Sequence, residues 1–277
     1  MKKKNIIILV TILIVAIVVG SLVWLKFIKK EELSLNDNLV KELYDEIETY
    51  FIPELYDGFE SYNENNFYMD KLVTYDTLSD EAKLYYAYQT IKDIKDKKIN
   101  SCDELKSYTF NNMNLYEYCL KDPYMLSNVE FMFNDVNKAK LEDAYHKMYG
   151  YDKEMPLKSF TMSFTGVCLY SDVEDEYLCH NQVGGDTTFG ISRTKLISAD
   201  KYFDRIELYD RYVWVDLADN NGFDYYKSRF NKELIVNVPE YNEDNDAEYL
   251  DKGALYKHIF KKDSNGNYYW YSSERVE

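Results

Sequence analysis

The chain lacks every common signature of a nucleotide-binding or catalytic protein. Its 277 residues contain no GxxxxGKS or GxxxxGKT loop to cradle phosphates, no HExxH helix to hold zinc and no GxSxG turn to present a nucleophilic serine. The glycine pattern of dinucleotide-binding folds is also missing. These absences exclude the familiar NTPases, zinc peptidases and serine hydrolases, and we expect no cofactor, no metal centre and no recognisable catalytic residue.

Acidic residues are absent from the first thirty positions, which carry six lysines. The stretch from Ile6 to Leu25 has no charge and is almost wholly apolar. A helix of this length rises about 30 Å, the thickness of the hydrocarbon core of a bilayer, and it satisfies its own backbone hydrogen bonds. Trp24 follows at the depth of an interfacial aromatic residue. Residues 1–30 therefore predict a cytoplasmic tail and a transmembrane anchor, with Ile6 to Leu25 in contact with membrane lipid.

The retention and direction of this segment are separate questions. A cleaved signal peptide is the alternative, with an apolar region from Ile6 to Ile17 and with Gly20 and Ser21 near the cleavage point. The apolar run continues to Leu25, longer than the ~7–15 residues of a signal peptide, which favours an uncleaved signal-anchor. A short tail with three lysines stays in the cytoplasm under the positive-inside rule. We therefore expect a single-pass protein of the cell membrane, with the bulk of its chain extracytoplasmic.

Positive charge is scarce beyond the anchor. The whole chain carries −16 at pH 7, and removing the six lysines of residues 1–30 leaves 27 basic against 49 acidic residues, a net charge of −22. Nucleic acid binding requires the opposite sign of surface charge, so that class of function is excluded. We also expect this acidic body to repel anionic lipid headgroups and to favour cationic partners.

Cysteine is rare, with four residues, no CxxC pair and no histidine at the spacing of metal ligands. In an oxidising compartment, the simplest of the three possible pairings joins Cys102 to Cys119 and Cys168 to Cys179. The second pair flanks the acidic turn SDVEDE between two predicted strands, and directly opposed residues of a hairpin lie near disulfide distance. Four buried free thiols are the alternative. We predict both disulfides, which fits an extracytoplasmic location.

Residues 31–150 show the three-to-four-residue spacing of apolar side chains that is typical of helices. The spacing predicts one helix in DNLVKELYDEIETYF and another in LSDEAKLYYAYQTIKD. Two capping boxes, each a serine followed three residues later by a glutamate, mark further helix starts at 101–104 and 127–130. A last helix is predicted over 136–148, and it ends before Gly150 as a helix does before a C′ glycine.

Residues 151–277 change to a period of two. Apolar and polar side chains alternate from Phe160 to Thr165, and short strands follow at TTFGI, RIELY, RYVWV and LIVNV. The final ALYKHIFKKDSNGNYYWYSSE is predicted to form a hairpin of two aromatic strands around Asn265 and Gly266. Such strands form an antiparallel sheet with one solvated face. A helical region followed by an antiparallel β-rich region predicts the α+β fold class.

Two short patterns are similar to catalytic or ligand-binding motifs. Ser192 and Lys195 match the SxxK pattern of penicillin-binding enzymes, but the pattern falls in a predicted strand, where the two side chains would point to opposite faces. Gly184, Gly185 and Asp186 lie between two predicted strands, where a double glycine is typical of a turn. We interpret both patterns as incidental.

Acidic clusters, histidines and tyrosines are the remaining candidates for ligand binding. Calcium prefers several oxygen ligands from one loop, and acidic or amide clusters fall at 240–248 and 263–267. Neither follows the EF-hand order, so solvated loops are the preferred interpretation. His146, His180 and His258 lie far apart in sequence, and each is expected at the surface or half-buried. The 29 tyrosines are expected mainly in the core rather than on a platform for sugars.

Three phrases of the sequence carry a resemblance to known proteins. They are LSDEAKLYYAYQTI, DAYHKMYG before a cysteine-containing strand, and the final NGNYYWYSSE. Together with the lysine-flanked anchor, they make the chain resemble single-pass, membrane-anchored extracytoplasmic proteins of Gram-positive bacteria that have no assigned activity. The resemblance covers most of the body of the chain, and it brings no functional residues with it.

Without a catalytic signature, the sequence favours recognition over chemistry. We expect a membrane-tethered extracytoplasmic binding or scaffold protein rather than an enzyme, with another envelope protein or a glycan as its partner. The alternative is a cell-envelope hydrolase that uses two carboxylates, for which Asp186 and Glu207 are the candidates. The two functions differ in structure, because a hydrolase of this kind places two buried acids with raised pKa values opposite each other in a deep pocket.

Overall fold

The protein combines helices with antiparallel sheets, which confirms the predicted α+β class. The class follows from a change in sequence pattern, since helical spacing dominates early in the chain and alternation dominates later. The computed structural model describes residues 3–24, 29–47, 67–110, 113–121, 133–161, 166–180, 190–218, 222–229, 232–242 and 246–277.

The helices begin where a polar side chain accepts a hydrogen bond from the first turn. In chain order, the described α-helices are α1 (Lys3–Val23), α2 (Asn38–Asp45), α3 (Asp80–Gln89), α4 (Leu115–Lys121), α5 (Lys138–Tyr149) and α6 (Asp246–Leu250). The Asp37 carboxylate accepts from the backbone N–H of Leu39 at 2.8 Å, and Ser79 Oγ accepts from that of Ala82 at 3.1 Å. These caps satisfy N–H groups that have no partner within the helix, and they place the starts of α2 and α3 within the predicted stretches.

The start of α5 corrects one prediction. The expected helix over 136–148 begins only at Lys138, because Val136 and Asn137 belong to a strand and Asn137 is the N-cap. The helix ends before Gly150, whose φ of 98° lies in the region that favours glycine. The capping box at 101–104 is present and begins a short 3-10 helix, while the one at 127–130 lies outside the described residues.

The strands are short near the beginning of the chain and long near its end. In order they are β1 (Glu31–Glu32), β2 (Val73–Thr74), β3 (Lys95–Lys97), β4 (Thr109–Phe110), β5 (Met113–Asn114), β6 (Phe133–Asn137), β7 (Phe160–Thr161), β8 (Val167–Ser171), β9 (Glu176–His180), β10 (Gly190–Lys201), β11 (Arg205–Leu217), β12 (Phe223–Tyr226), β13 (Leu234–Val238), β14 (Ala254–Lys262) and β15 (Tyr268–Arg275).

These strands form two larger antiparallel sheets and one small one. The main sheet has the order β1-β10-β11-β14-β15-β2, with β12 beside β11 and β13 beside β12. The second sheet has the order β3-β6-β9-β8-β7, and β4 pairs with β5 alone. Strands from residues 31–150 therefore lie in both larger sheets, so the predicted helical and β-rich regions are joined through shared sheets.

The middle of the main sheet is built differently from the expectation. The stretches RIELY and RYVWV, predicted as separate strands, form the single strand β11, in which Asp210 joins the two halves. Asp210 is buried and hydrogen-bonded there, so its charge does not end the strand. The terminal hairpin is confirmed, with β14 and β15 on either side of Asn265 and Gly266. Gly266 has a φ of 90°, a conformation that glycine adopts without strain.

Tyrosine supplies much of the core, as predicted. Among the residues that the structure describes, eight of the twelve largest fully buried side chains are tyrosines. The rings of Tyr68 and Tyr212 stack with their centroids 4.7 Å apart, and Tyr256 meets Tyr68 edge-on at 5.2 Å. Helix α3 packs against α5, and both α2 and α5 contact β15. This arrangement places α2 and α5 beside the terminal hairpin, with α3 packed against α5.

Helix α1 coincides with most of the predicted anchor. Its described side chains are exposed, including Val10 at 50%, Leu13 at 60% and Leu22 at 60%. The backbone of Ile6 belongs to α1, and Leu25 lies outside the described residues. Across the described ranges, no helix meets the combined length and hydropathy that a membrane span requires.

Candidate functional site

The best candidate site begins at the C-terminal end of α2. The apolar stripe of this helix buries Val40 and Leu43 completely or nearly so, and Ile47, two residues after the helix, is fully buried as well. Glu46 lies between the helix and Ile47, with a helical backbone at the C-cap. Burial of Leu43 and Ile47 on either side of it holds this acidic residue at the edge of the core.

Glu46 lines a cleft of ≈ 520 Å³ between α2, the end of α3 and α5. Its apolar lining includes Ile91, Ala144 and Met148. The acidic residues that line it are Glu42, Asp45, Glu46 and Asp143. Three lysines complete the charged lining, and they are Lys92, Lys140 and Lys147. The cleft thus combines three apolar side chains with seven charged ones, so its lining is more polar than that of a typical small-molecule pocket and suits a charged ligand.

The carboxyl group of Glu46 is the most perturbed acid in this cleft. Its Oε2 atom is buried and has no hydrogen-bond partner within the described ranges. Burial raises the pKa of Glu46 to about 8, and the negative charges of Glu42 and Asp45 contribute to the rise, while Lys147 opposes it. Glu46 therefore keeps its proton at neutral pH.

Two of the three lysines of the cleft are occupied by other groups. Lys147 forms an ion pair with Asp143 at 2.5 Å. Lys140 Nζ donates to the backbone carbonyl oxygens of Lys92 and Asp93 at 2.9 and 3.0 Å. The cleft therefore has more carboxyl groups than ammonium groups free to pair with them.

A second polar cluster contains the residue types of a serine hydrolase. On the neighbouring strands β11, β14 and β15, His258 Nε2 lies 3.1 Å from an Asp210 carboxylate oxygen, and His258 Nδ1 lies 2.6 Å from Ser273 Oγ. The hydroxyl of Tyr68 donates to Asp210 at 2.7 Å, and Trp270 Nε1 donates to Ser273 Oγ at 2.8 Å. All five side chains are buried.

This cluster is a closed hydrogen-bond network. The Asp210 carboxylate only accepts, so Nε2 of His258 carries the proton between them. In the neutral imidazole Nδ1 then accepts the hydroxyl proton of Ser273, and Ser273 Oγ accepts from Trp270. The serine is fully buried, and it lines neither the cleft beside Glu46 nor the one between α1 and the β10–β11 turn. A serine nucleophile needs access to its substrate, so the arrangement is suited to holding three strands together rather than to acyl transfer.

The histidine prediction is corrected at this cluster. His258 was expected at the surface or half-buried, but it is completely buried. Strand β14 alternates strictly between buried and half-buried positions, and Tyr256, His258 and Phe260 fall on its buried face. Period-two spacing through the terminal hairpin was the signal for this burial.

The two carboxylates suggested for a hydrolase are not seen together. Asp186 lies outside the described residues, as do Gly184 and Gly185. Glu207 is buried and accepts hydrogen bonds from Arg205 Nε at 2.6 Å and from the Tyr209 hydroxyl at 2.9 Å. Both of its oxygens therefore have partners, and its charge is compensated within strand β11.

One close pair of carboxyl groups lies on the second sheet. Asp135 on β6 and Glu176 on β9 share a hydrogen bond, and burial together with this bond raises the pKa of Asp135. Burial alone would raise the pKa of Glu176, but hydrogen bonds from Lys97 and Tyr108 lower it. Glycosidase carboxylates stand ~5 to 9.5 Å apart to admit a sugar or a water, whereas hydrogen-bonded groups are ~3 Å apart. This pair is therefore better suited to linking strands β3, β6 and β9 than to catalysing hydrolysis.

The SxxK pattern lies in a strand, as expected. Ser192 is buried within β10, whereas Lys195 forms an ion pair with Asp251 at 2.7 Å. A lysine that is paired elsewhere cannot activate the serine.

The described aspartates of the acidic clusters form hydrogen bonds with other groups of the protein. Asp246 is buried and accepts hydrogen bonds from Arg193 at 2.9 Å, Tyr225 at 2.7 Å and Tyr241 at 3.1 Å. In the terminal hairpin, Asp263 accepts from two backbone N–H groups of its own turn. Residues 243 and 244 lie outside the described ranges. In the part of the chain that the structure describes, no three acidic, histidine or cysteine side chains are placed to hold a metal ion.

Two disulfides are present in the predicted pairing. Cys102 and Cys119 have their Cα atoms 5.6 Å apart, and they join a 3-10 helix to α4. Cys168 and Cys179 are directly opposed on β8 and β9, with Cα atoms 3.9 Å apart. The chain has no free cysteine. Disulfides of this kind form and persist in oxidising compartments.

A second cleft, of ≈ 500 Å³, lies where α1 approaches the turn between β10 and β11. The tip of this turn carries Phe203, which is 70% exposed. Lysines dominate the charged lining, with Lys29, Lys30, Lys201 and Lys262 against a single acid, Glu31. This face of the body differs in sign from the rest of the acidic domain.

No protein family, no curated protein and no solved structure matches the chain.

Proposed function

We propose that the chain is a single-pass membrane protein whose extracytoplasmic body binds a ligand in the cleft beside Glu46. The observation that carries the binding function is the buried Glu46 Oε2 atom, which has no partner within the described ranges and lies at an open cleft. A polar atom buried without a partner costs roughly 1–3 kcal/mol. A ligand that supplies the missing interaction is one reason for a protein to retain such a cost, and Glu46 Oε2 belongs to a side chain that lines an open cleft.

The disulfides support the extracytoplasmic location. Both bonds close local segments of the body, 17 and 11 residues apart in sequence. Cytosolic thiols are kept reduced, so a chain whose four cysteines are all paired belongs in an oxidising compartment. The notable excess of acid over base in the body also suits an exposed, soluble surface.

The tether rests on the sequence of the first thirty residues and on the exposure of α1. Its apolar side chains from Val10 to Trp24 are about half exposed. A stripe of polar residues would be needed if one face met water, and this run has none. The proposed span from Ile6 to Leu25 places three lysines in the cytoplasm and the lysines near Phe203 at the outer membrane surface.

The geometry favours binding over hydrolysis. Among the described acids that line a cleft, Glu46 is the one whose pKa is strongly raised. A hydrolase of the paired-carboxylate type needs a second acid at a defined separation from the first. The Asp135 and Glu176 pair is too close for that role, and the serine of the buried network has no access to substrate.

The tether is tested by alkaline carbonate extraction of membranes from cells that express the full chain. A spanning helix keeps the protein in the membrane pellet, and external protease on intact cells degrades the body. Release by carbonate, or protection of the body until the cells are lysed, would contradict the proposal.

Binding is tested by calorimetry on the full chain in detergent micelles. The panel contains a neutral envelope oligosaccharide, an aliphatic diamine and an anionic polyol phosphate. The test variant is Gln89→Trp, which places a bulky ring at an exposed position in the lining of the cleft and should block entry of the ligand. We expect one class to bind the parent and to bind the variant at least tenfold more weakly. If Gln89→Trp binds the ligand as tightly as the parent does, or if no ligand of the panel binds the parent, a binding function at this cleft is contradicted.

A further inference from the structure

The charges of the Glu46 cleft are unbalanced in a specific way. Asp143 is paired with Lys147, and Lys140 is held by two backbone carbonyl groups. Glu42, Asp45 and Glu46 form no ion pair with any residue that the structure describes. Three carboxyl groups thus line the α2 wall of the cleft without forming an ion pair, and one of them has a buried oxygen atom.

We propose that this cleft binds the primary ammonium group of an aliphatic amine, with the Glu46 carboxylate as its ion-pair partner. The proposal rests on the proposed binding function and names its ligand class. An ammonium group donates three hydrogen bonds from a compact centre, and the Glu46 Oε2 atom is an acceptor without a donor. The alkyl chain of the ligand would lie against Ile91 and Met148 on the apolar wall.

A metal ion is a poorer occupant of the same cleft. Calcium takes six to eight oxygen ligands at 2.3–2.6 Å. Within the described ranges no group of three acidic, histidine or cysteine residues has that arrangement, so Glu42, Asp45 and Glu46 do not converge on one point. An elongated cation with hydrogen-bonding capacity at one end matches acids that are spread along a cleft wall.

Binding of a cation here is linked to loss of a proton. Burial and the negative charges of Glu42 and Asp45 raise the pKa of Glu46 to about 8, so the carboxyl group is neutral before the ligand arrives. An ammonium group beside it favours the charged form and displaces the proton to solvent. The other charged groups that face the cleft are Lys92 after α3, and Lys140, Asp143 and Lys147 on α5.

The linkage sets the size of the pH effect. With a pKa of about 8, about one tenth of the Glu46 carboxyl groups are ionised at pH 7 and about nine tenths at pH 9. The apparent affinity of a ligand scales with the fraction of protein in the competent state, so we expect roughly tenfold tighter binding at pH 9. Aliphatic amines keep their charge over most of this range, since their pKa is near that of lysine, ~10.4.

The test uses 1,5-diaminopentane and the full chain in detergent micelles, titrated by calorimetry at pH 7 and pH 9. Pentane-1,5-diol is the neutral ligand of equal length, and calcium chloride is the metal control. The variant Glu46→Gln removes the charge, and Glu154→Gln, at an exposed carboxylate away from the cleft lining, is the matched control. Repeating the pH 7 titration in two buffers of different ionisation enthalpy counts the protons released.

We expect the diamine to bind with release of nearly one proton at pH 7, with about tenfold tighter binding at pH 9. Glu46→Gln should weaken binding at least tenfold at pH 9, and Glu154→Gln should leave it unchanged. Equal binding of the diol, saturable calcium binding at the cleft, or full affinity in Glu46→Gln would overturn the proposal. If the oligosaccharide or phosphate of the wider panel binds instead and Gln89→Trp weakens it, the cleft still binds and only the amine is wrong. If no class binds, both proposals fail.

Discussion

Replacement of Glu46 by glutamine should stabilise the protein, and the effect should depend on pH. The glutamine side chain is neutral at every pH and close in shape to the protonated acid. In the parent protein, ionisation of Glu46 places a charge in a buried position near Glu42 and Asp45. The variant removes that free-energy cost at every pH at which Glu46 of the parent would be ionised in the unfolded chain.

The magnitude follows from the shift in pKa between the unfolded and folded chain. Glu46 has an ordinary pKa of 4.5 when unfolded and a pKa of about 8 when folded, so the folded state binds more protons between these values. The stability of the parent is therefore complete below about pH 4.5, and it falls as pH rises through that window towards 8. Linkage gives a loss of about 1 kcal/mol at pH 5 and about 4 kcal/mol at pH 8.

Thermal unfolding of the full chain in detergent micelles measures this difference. We expect Glu46→Gln to raise Tm by roughly 10 °C at pH 8 and by roughly 2 °C at pH 5, since each kcal/mol is worth ~2–4 °C in a body of this size. Glu154→Gln, at an exposed position, should shift Tm by less than about 1 °C at both pH values. A variant whose Tm equals that of the parent at pH 8, or whose gain is the same at both pH values, would refute the reasoning.

Three further predictions follow from the same structure. Joint replacement of Cys168 and Cys179 by serine should cost about 2–3 kcal/mol in urea unfolding, because an 11-residue loop is no longer closed; an unchanged midpoint would mean that the bond adds nothing. Ser273→Ala should cost about 1–3 kcal/mol because it removes the buried partner of a tryptophan N–H and a histidine nitrogen, and near-neutral stability would argue against the closed network. In nanodiscs with bromine-labelled lipids, the fluorescence of a tryptophan introduced by Phe203→Trp should be quenched, whereas that of Val173→Trp, an exposed position in the turn between β8 and β9, should not be. No more quenching in Phe203→Trp than in Val173→Trp would place the β10–β11 turn away from the bilayer.

The features that could be predicted from the sequence are local ones. The terminal hairpin follows from an Asn265–Gly266 turn between alternating strands, and the Cys168–Cys179 bond follows from two residues opposed across a short turn. Helix α3 begins at a serine cap with an apolar stripe behind it. In each case the residues that determine the structure lie within about twenty positions of one another.

The features that could not be predicted depend on pairing between distant segments. The short strands β1 and β2 gain their partners only when β10 and β15 offer open edges, and the paired residues are 168 or more positions apart in sequence. From the sequence, Glu46 is an ordinary exposed residue at the end of a helix. Its burial depends on α5, about a hundred residues later, which forms another wall of the cleft beside it. Asp210 and His258 are typical surface residues in isolation, and only the strand order places them in contact.

The measurement closest to the central claim is the reaction of the four cysteines with a membrane-impermeant maleimide on intact cells. If the body is outside the cytoplasm and both disulfides are formed, no label is incorporated until an impermeant reductant is added, and the label then appears without lysis. Labelling that requires lysis but no reductant would place free thiols in the cytoplasm and would contradict the location, the disulfides and the proposed tether together.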